Sequence, residues 1–431
     1  MKIWTLIVLF FVVQHNLTSQ VALQSLDDAY RLLESQHSKV KLAAAQSEEL
    51  INEIGIQRAG MWPTVRLNSN ADYNLNLPVQ LIPAEIFGGP AGTFQRVQFG
   101  QPWVLGAGVD IQWPIVQIEK WRDIQSARIA ATQGPLREKL ELEQLKSTVL
   151  QRYYQALFWE AYYPYLTELR SQADSLYRVA EDKKSQSIIS AFDLNRVEAL
   201  RQQIYQQIVD ATHQKEIAYL QLKASLQIPE DQDIVITDSL NQMLLTIPPS
   251  SDASQRPGVQ LAQAQKDWSI AKIEARKAGL YPTLSAVGRY QFQWQSGDLF
   301  DGNQYIGFDY GTVGLSLQWQ IFSGGMKNRQ IEKANIQLKQ SQHQYDHTLS
   351  EANYQIAQWT SAFNEAQANF EITSRRFELT QSNLELALLR LNEGYSPLDE
   401  YFQVYQDYSS AAQAFFQNRL NLHLYHALLQ L

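Results

Sequence analysis

Val65-Arg66-Leu67-Asn68-Ser69-Asn70-Ala71-Asp72-Tyr73-Asn74-Leu75-Asn76-Leu77 alternates with a period of two. The odd positions are mostly apolar, and the even ones carry only Arg, Asn or Asp. That spacing predicts a β-strand over about 65–77 with one apolar and one polar face. Three more stretches repeat it. Leu105, Ala107, Val109, Ile111, Trp113 and Ile115 oppose Gly106, Gly108, Asp110 and Gln112, over about 104–115. Leu284, Ala286, Gly288, Tyr290, Phe292 and Trp294 oppose Ser285, Arg289, Gln291, Gln293 and Gln295, over about 284–295. Val313, Leu315, Leu317, Trp319 and Ile321 oppose Gly314, Ser316, Gln318 and Gln320, over about 313–321. Strands of roughly 9–11 residues with this alternation suit a transmembrane β-barrel, and equally a soluble sheet with one face buried. The flanking aromatics favour the membrane. Trp62 and Tyr281 enter the two hairpins, and Trp113 and Trp319 leave them, so all four sit at one level as an interfacial girdle does.

The stretches fall in a duplicated frame. Arg58-Ala59-Gly60-Met61-Trp62-Pro63-Thr64-Val65 matches Lys277-Ala278-Gly279-Leu280-Tyr281-Pro282-Thr283-Leu284 at an offset of 219. Gly108-Val109-Asp110-Ile111-Gln112-Trp113 matches Gly314-Leu315-Ser316-Leu317-Gln318-Trp319 at 206, as do Ser190-Ala191-Phe192-Asp193 with Ser396-Pro397-Leu398-Asp399, and Tyr219 with Tyr425. Each repeat reads helix, strand, strand, helix, helix. The first spans 20–228 and the second 256–431, joined by a Pro-rich linker at 229–255. The first carries a Gly/Pro-rich stretch, Pro78–Pro102, that reads as a loop. Four strands cannot close a barrel, and bare strand edges in lipid leave backbone groups unsatisfied. Two copies give eight strands and three give twelve; the polar inner face favours the wider, water-filled solution.

The helices are too long for a globule. Periodicity places them at about 25–59, 123–184, 190–227, 256–278, 326–392 and 397–431. From Met326 to Glu393 there is neither Gly nor Pro. Small or apolar residues recur there in steps of three and four: Ile331, Ala334, Leu338, Ser341, Tyr345, Thr348, Ala352, Ile356, Trp359, Phe363, Ala366, Phe370, Thr373, Phe377, Thr380, Leu384, Ala387 and Leu391. This is a coiled-coil stripe with one stutter at Thr348–Ala352–Ile356, on a helix about 100 Å long. In the matching first-half helix, Gly134-Pro135 and Pro164 are expected to kink the axis. Ser190 with Asp193, and Ser396 with Asp399, read as capping-box starts of the return helices, with Gly394 closing the helix before the second turn. Each repeat thus makes a helical hairpin, with its turn away from the strands. The expected protomer is a rod with a membrane end and a helical tip.

Lys2, then the apolar run Ile3–Val13, then the polar His15–Gln20 has the layout of a cleaved signal peptide over 1–19. No later stretch is apolar enough to span a bilayer as a helix, so any spanning part is built of strands. The 431 residues contain no Cys, which excludes thiol chemistry, disulfides and lipoprotein anchoring. A net charge of −8 disfavours non-specific nucleic-acid binding. The 52 Gln, alongside 21 Tyr and 10 Trp, suit wetted helix surfaces with an interfacial part.

Several segments resemble the TolC family of outer-membrane efflux factors. They are Leu23-Gln24-Ser25-Leu26-Asp27-Asp28-Ala29, Trp62-Pro63-Thr64, Arg256-Pro257-Gly258-Val259, Tyr281-Pro282-Thr283-Leu284, Trp319-Gln320-Ile321-Phe322-Ser323-Gly324-Gly325 and Gly394-Tyr395-Ser396-Pro397-Leu398-Asp399. Their order and the duplication carry the resemblance over about 23–431. It implies a mainly α fold with a small β part: a homotrimer whose 12-stranded barrel in the outer membrane continues into an α-helical tunnel across the periplasm. It also implies a periplasmic adaptor and an inner-membrane transporter as partners. Two departures stand out: Gly134-Pro135 inside the first long helix, and Ile188 where the second tip has Gly394.

No catalytic or cofactor-binding constellation is evident. His343 and His347, beside Asp346, have zinc-ligand spacing but lack a third ligand and read as a wetted stripe; His423 and His426 read the same way. The tip residues Ser190, Asp193, Gly394, Ser396, Asp399 and Glu400 are the better candidates. In three copies the acids would ring an aperture and attract cations, or simply cap helices. The expected function is a passive exit duct of a tripartite efflux or secretion system. Two alternatives stand beside it: an outlet for secreted polypeptides, and a non-conducting coiled-coil tether, which has no use for strands with a polar face.

Overall fold

The computed structural model describes residues 21–240, 252–298 and 306–431; the expected signal peptide and part of the expected linker lie outside these. Eight α-helices and eight strands are assigned among them. They fall into two compact units, each drawing on both sequence repeats. One holds the described residues up to Ala45, Pro135–Gln260 and Asp346–Leu431; the other holds Gln46–Gly134 and Leu261–Tyr345.

In the first unit, strand β1 (Val21–Leu23) leads into helix α1 (Leu26–Gln36), capped by Ser25 and Asp28 in a reciprocal box. Helix α2 (Ser38–Ala59) follows after an extended His37, so the expected continuous helix over 25–59 is two helices. β1 pairs in parallel with β6 (Ile234–Ile236), a small sheet that no alternation announces because each strand is three residues long. Long helices α4 (Gln133–Ser185), α5 (Ala191–Leu226), α7 (Met326–Asn392) and α8 (Leu398–Gln430) supply the rest of this core. Every stripe position expected on α7 is buried or half-buried, Phe363 and Leu384 among the most enclosed. Aromatic rings thicken the packing. Phe377 stacks on Phe415 at 4.9 Å and on Tyr408 at 5.6 Å, and Tyr165 meets Phe416 at 5.6 Å.

The second unit holds the four-stranded antiparallel sheet in the order β2 (Thr64–Tyr73), β5 (Trp103–Val116), β7 (Thr283–Ser296), β8 (Ile306–Gln318). β2 stops at Tyr73 rather than 77. The Asn74 amide turns to the Pro102 carbonyl at 2.7 Å, and its side chain donates to the Gln101 carbonyl at 3.2 Å. Pro102 has no N–H with which to extend the ladder. β8 lies earlier than the expected 313–321. It starts at Ile306, and its last partner is Thr283 opposite Gln318, which leaves Trp319 and Ile321 beyond the strand. The Pro78–Pro102 stretch is not plain loop. It folds into a hairpin of β3 (Val79–Pro83) and β4 (Phe94–Gln98) across a 3₁₀ turn at Ala84–Phe87. Helices α3 (Ile118–Ala131) and α6 (Pro257–Ala278) complete the element order.

The first-half long helix expected over 123–184 begins earlier, as α3, and is interrupted at Thr132. Gly134-Pro135 therefore sits in the first turn of α4, where Pro gives up no helical hydrogen bond. Pro164 lies inside α4, which continues to Ser185. Gly134 is needed for close approach: a Cβ there would stand 2.4 Å from Ser47 Oγ and 2.9 Å from Ser47 Cα.

Candidate pore sheet and helical tip

The register assigns the faces of the sheet. Val65 opposes Ile111, Leu67 opposes Val109, and Ala71 opposes Leu105. Val109 in turn meets Tyr290, Ala107 meets Phe292, and Ala286 meets Leu315. These residues form one apolar face, and it is open to its surroundings: Leu67 is 78% exposed and Val313 94%. Open apolar area on this scale marks an interaction surface. Within the face, Tyr290 Oη donates to Asp309 Oδ2 at 2.6 Å, so the one acid on this side of β8 has a partner.

The opposite face carries Arg66, Asn68, Asn70, Asp110, Gln112, Arg289, Gln291 and Gln293 in facing positions. Arg289 Nε donates to Asp110 Oδ1 at 2.5 Å, and Asn68 donates to the other Asp110 oxygen. Toward its start β8 reverses its chemistry, with Ile306, Phe308 and Tyr310 on this polar side. Tyr310 Oη is anchored on Gln291 Oε1 at 2.7 Å.

Among the described residues, both outer strands of this sheet, β2 and β8, are unpaired on their free sides. Three successive antiparallel pairings make β2 and β8 run in opposite directions.

The four aromatics flank one end of the hairpins, where Thr64 pairs with Gln112 and Thr283 with Gln318. The indole of Trp113 donates to the Met61 carbonyl at 3.2 Å, and that of Trp319 to the Leu280 carbonyl at 3.0 Å. The duplicated sequence thus makes one contact twice. Each ring stays largely open, from 48% for Trp113 to 71% for Trp62.

At the tip, Ser190 and Asp193 form the expected capping box, Asp193 N donating to Ser190 Oγ at 3.1 Å. Hydrogen bonds from the Ser190 hydroxyl and amide hold the Asp193 carboxyl below the usual carboxylate range. The second tip departs from expectation. Its N-cap is Pro397, which has no capping side chain, and Ser396 Oγ is buried without a partner among the described residues. Asp399 does not close a box but pairs with Arg196, while Glu400 Oε1 accepts from Arg390 Nη1 at 3.0 Å. Arg196 also lies 4.6 Å above the Phe402 ring. Lys183 Nζ reaches the Leu391 carbonyl at 2.6 Å and ties the two hairpins together. The turns themselves match. Ile188 N bonds Lys183 O as Tyr395 N bonds Arg390 O, which aligns Ser187 (φ 58°) with Gly394 (φ 79°). Ile188 therefore corresponds to Tyr395, and the left-handed position at the first tip falls to Ser187.

Packing takes up His423, while His347 stays exposed. His423 Nε2 is 3.1 Å from the Leu240 carbonyl and the ring stacks on Tyr154, with burial pushing the imidazole pKa down. His347 lies 3.3 Å from Glu351.

Residues 249–430 match the sequence model of the outer membrane efflux protein family. No curated protein is significantly similar in sequence. Solved structures share the fold over nearly the whole chain. The Campylobacter jejuni CmeC outer membrane channel superposes with a TM-score of 0.75 at 16% identity, covering 93% of this chain and 83% of that one. The open-state Neisseria gonorrhoeae MtrE outer membrane channel gives 0.74 at 17% identity, covering 94% and 88%. A Pseudomonas aeruginosa membrane protein gives 0.76 at 15%, covering 94% and 92%. The second half of the chain thus carries the outer membrane efflux protein pattern, and the fold seen in solved outer-membrane channels extends over nearly the whole chain.

Proposed function

We propose that three copies of this chain close into a 12-stranded barrel and act as the passive outer-membrane exit duct of a tripartite efflux system. The observation that carries this reading is the four-stranded sheet with two bare edges, one open apolar face and one polar face. Because β2 and β8 run oppositely, β8 of one copy meets β2 of the next in the same antiparallel sense. Each edge is then satisfied without a new topology, as lipid requires. The apolar face turns to lipid and the polar face to the lumen. Trp62, Trp113, Tyr281 and Trp319 take the level of one membrane interface. A tether needs neither face.

The helical tip is the periplasmic aperture in this reading, and a periplasmic adaptor with its inner-membrane transporter engages it. Asp399 and Glu400 act there chiefly through Arg196 and Arg390 of their own chain, as latches between helices. Reconstitution of the full chain into planar bilayers tests the duct: stepwise conductances are expected, and Asp399→Asn with Glu400→Gln should raise the resting conductance. A protein that inserts as trimers yet never conducts, with or without these substitutions, would favour the tether.

A further inference from the structure

Among the described residues, the polar face of the sheet carries four charged side chains, and three of them share one row. Arg66 faces Asp110, Asp110 faces Arg289, and Arg289 faces Thr312. Arg289 and Asn68 engage both oxygens of Asp110. One arginine would suffice to hold that carboxylate and the register. The second, Arg66, is exposed and makes no salt bridge among the described residues, although its charge also acts on Asp110. Arg66 and Arg289 flank a concavity of about 360 Å³, whose lining also includes Thr64, Asp110, Gln112 and Thr312.

Across the seam that β8 and β2 would form, the polar face of β8 presents Ile306, Phe308, Tyr310, Thr312, Gly314, Ser316 and Gln318, none of them acidic. A neighbouring copy therefore brings no carboxylate from β8 to Arg66. The fourth charge, Asp72, stands six residues along β2, about 20 Å away, more than twice the Debye length at physiological salt. Each row keeps one surplus positive charge. Three copies give six guanidinium groups against three carboxylates around one level of the lumen.

We propose that this row is an anion-attracting belt inside the barrel, a transient site for solutes bearing carboxylate or phosphate groups. It rests on the duct reading above. Guanidinium forks match oxyanions bidentately, and charges of one sign in a walled concavity focus their field on passing ions. The acids at the tip exert less opposing influence than their number suggests, because Asp399 and Glu400 are already paired.

The absence of cysteine from the chain makes the local potential measurable. Thr312→Cys places a single thiol in the row, and Val313→Cys places one on the apolar face. In liposomes, the thiols are treated with an anionic methanethiosulfonate and with a cationic one. The ratio of the two rates is compared with that of a small free thiol. At Thr312→Cys the anionic reagent should be favoured. Adding Arg66→Gln and Arg289→Gln should lower the ratio at least about threefold, and adding Asp110→Asn should raise it. Should the double substitution block assembly, Arg66→Gln alone, which leaves the Arg289–Asp110 bridge intact, should still lower it. A ratio equal to the free thiol's and unmoved by Arg66→Gln overturns the belt while leaving the duct standing. A reactive Val313→Cys beside an inert Thr312→Cys would instead reverse the faces and remove the duct reading itself.

Discussion

Ser187 holds a left-handed backbone at the first tip, where the second tip uses Gly394. A non-glycine residue there costs about 1 kcal/mol or more. Ser187→Gly should therefore stabilise the first hairpin by up to about 1 kcal/mol, read as a higher thermal midpoint; the glycine's looser unfolded chain returns part of the gain. The Ser190–Asp193 box was legible because its partners are three residues apart. The Asp399–Arg196 pair was not, since it joins positions 203 apart that only the packing of two hairpins brings together. A buried pair offers a sharper test. Arg256 Nη1 lies 3.4 Å from Glu143 Oε1, both side chains mostly enclosed, with the guanidinium 4.7 Å from the Trp359 ring centroid. Burial raises the Glu143 pKa, and Arg256 opposes the rise. A raised acid favours the folded state at low pH and loses that benefit as pH climbs through its folded pKa. Arg256→Ala strands the carboxylate, at a cost of about 3–5 kcal/mol while it stays charged. Its thermal midpoint should fall further below the parent at pH 8 than at pH 5. An equal deficit at both would mean that Glu143 does not titrate with the fold.

Strand alternation locates the four sheet strands, yet it sets β8 too late. Its opening residues Ile306, Phe308 and Tyr310 put apolar groups on the polar side, so the period-two signal loses its sign there. The β3–β4 hairpin was hidden by its Gly and Pro content, which marks the turn at Gly88 and Gly92 but not the short ladder beside it. The α7 stripe was readable throughout because tight helix packing repeats one requirement at every turn. The faces of the sheet give a paired test. Val109→Arg or Leu315→Arg should impair assembly, since a charge facing mid-bilayer lipid costs about 2–4 kcal/mol. Gln112→Arg or Gln318→Arg, on the other face, should leave yield and heat resistance near the parent's in outer-membrane preparations. Equal tolerance at both sets would place the sheet outside a membrane.

Duplication and period make the whole fold class readable, while the proposed number of copies is argued from what one chain leaves undone. Among the described residues, β2 and β8 each keep a row of unpaired backbone groups, and the apolar face between them is uncovered. Four strands are too few to close on themselves, and a chain that stayed single in lipid would carry several kcal/mol for each unsatisfied group. Repetition of the same edge-to-edge contact removes that cost, and the polar residues on the inner face need a lumen wide enough for water. The mass of the full-length protein in mild detergent decides the matter. Three chains per particle are expected, held together at dilutions where weak contacts dissociate; a stable, folded single chain in detergent would contradict the closed barrel and everything built on it.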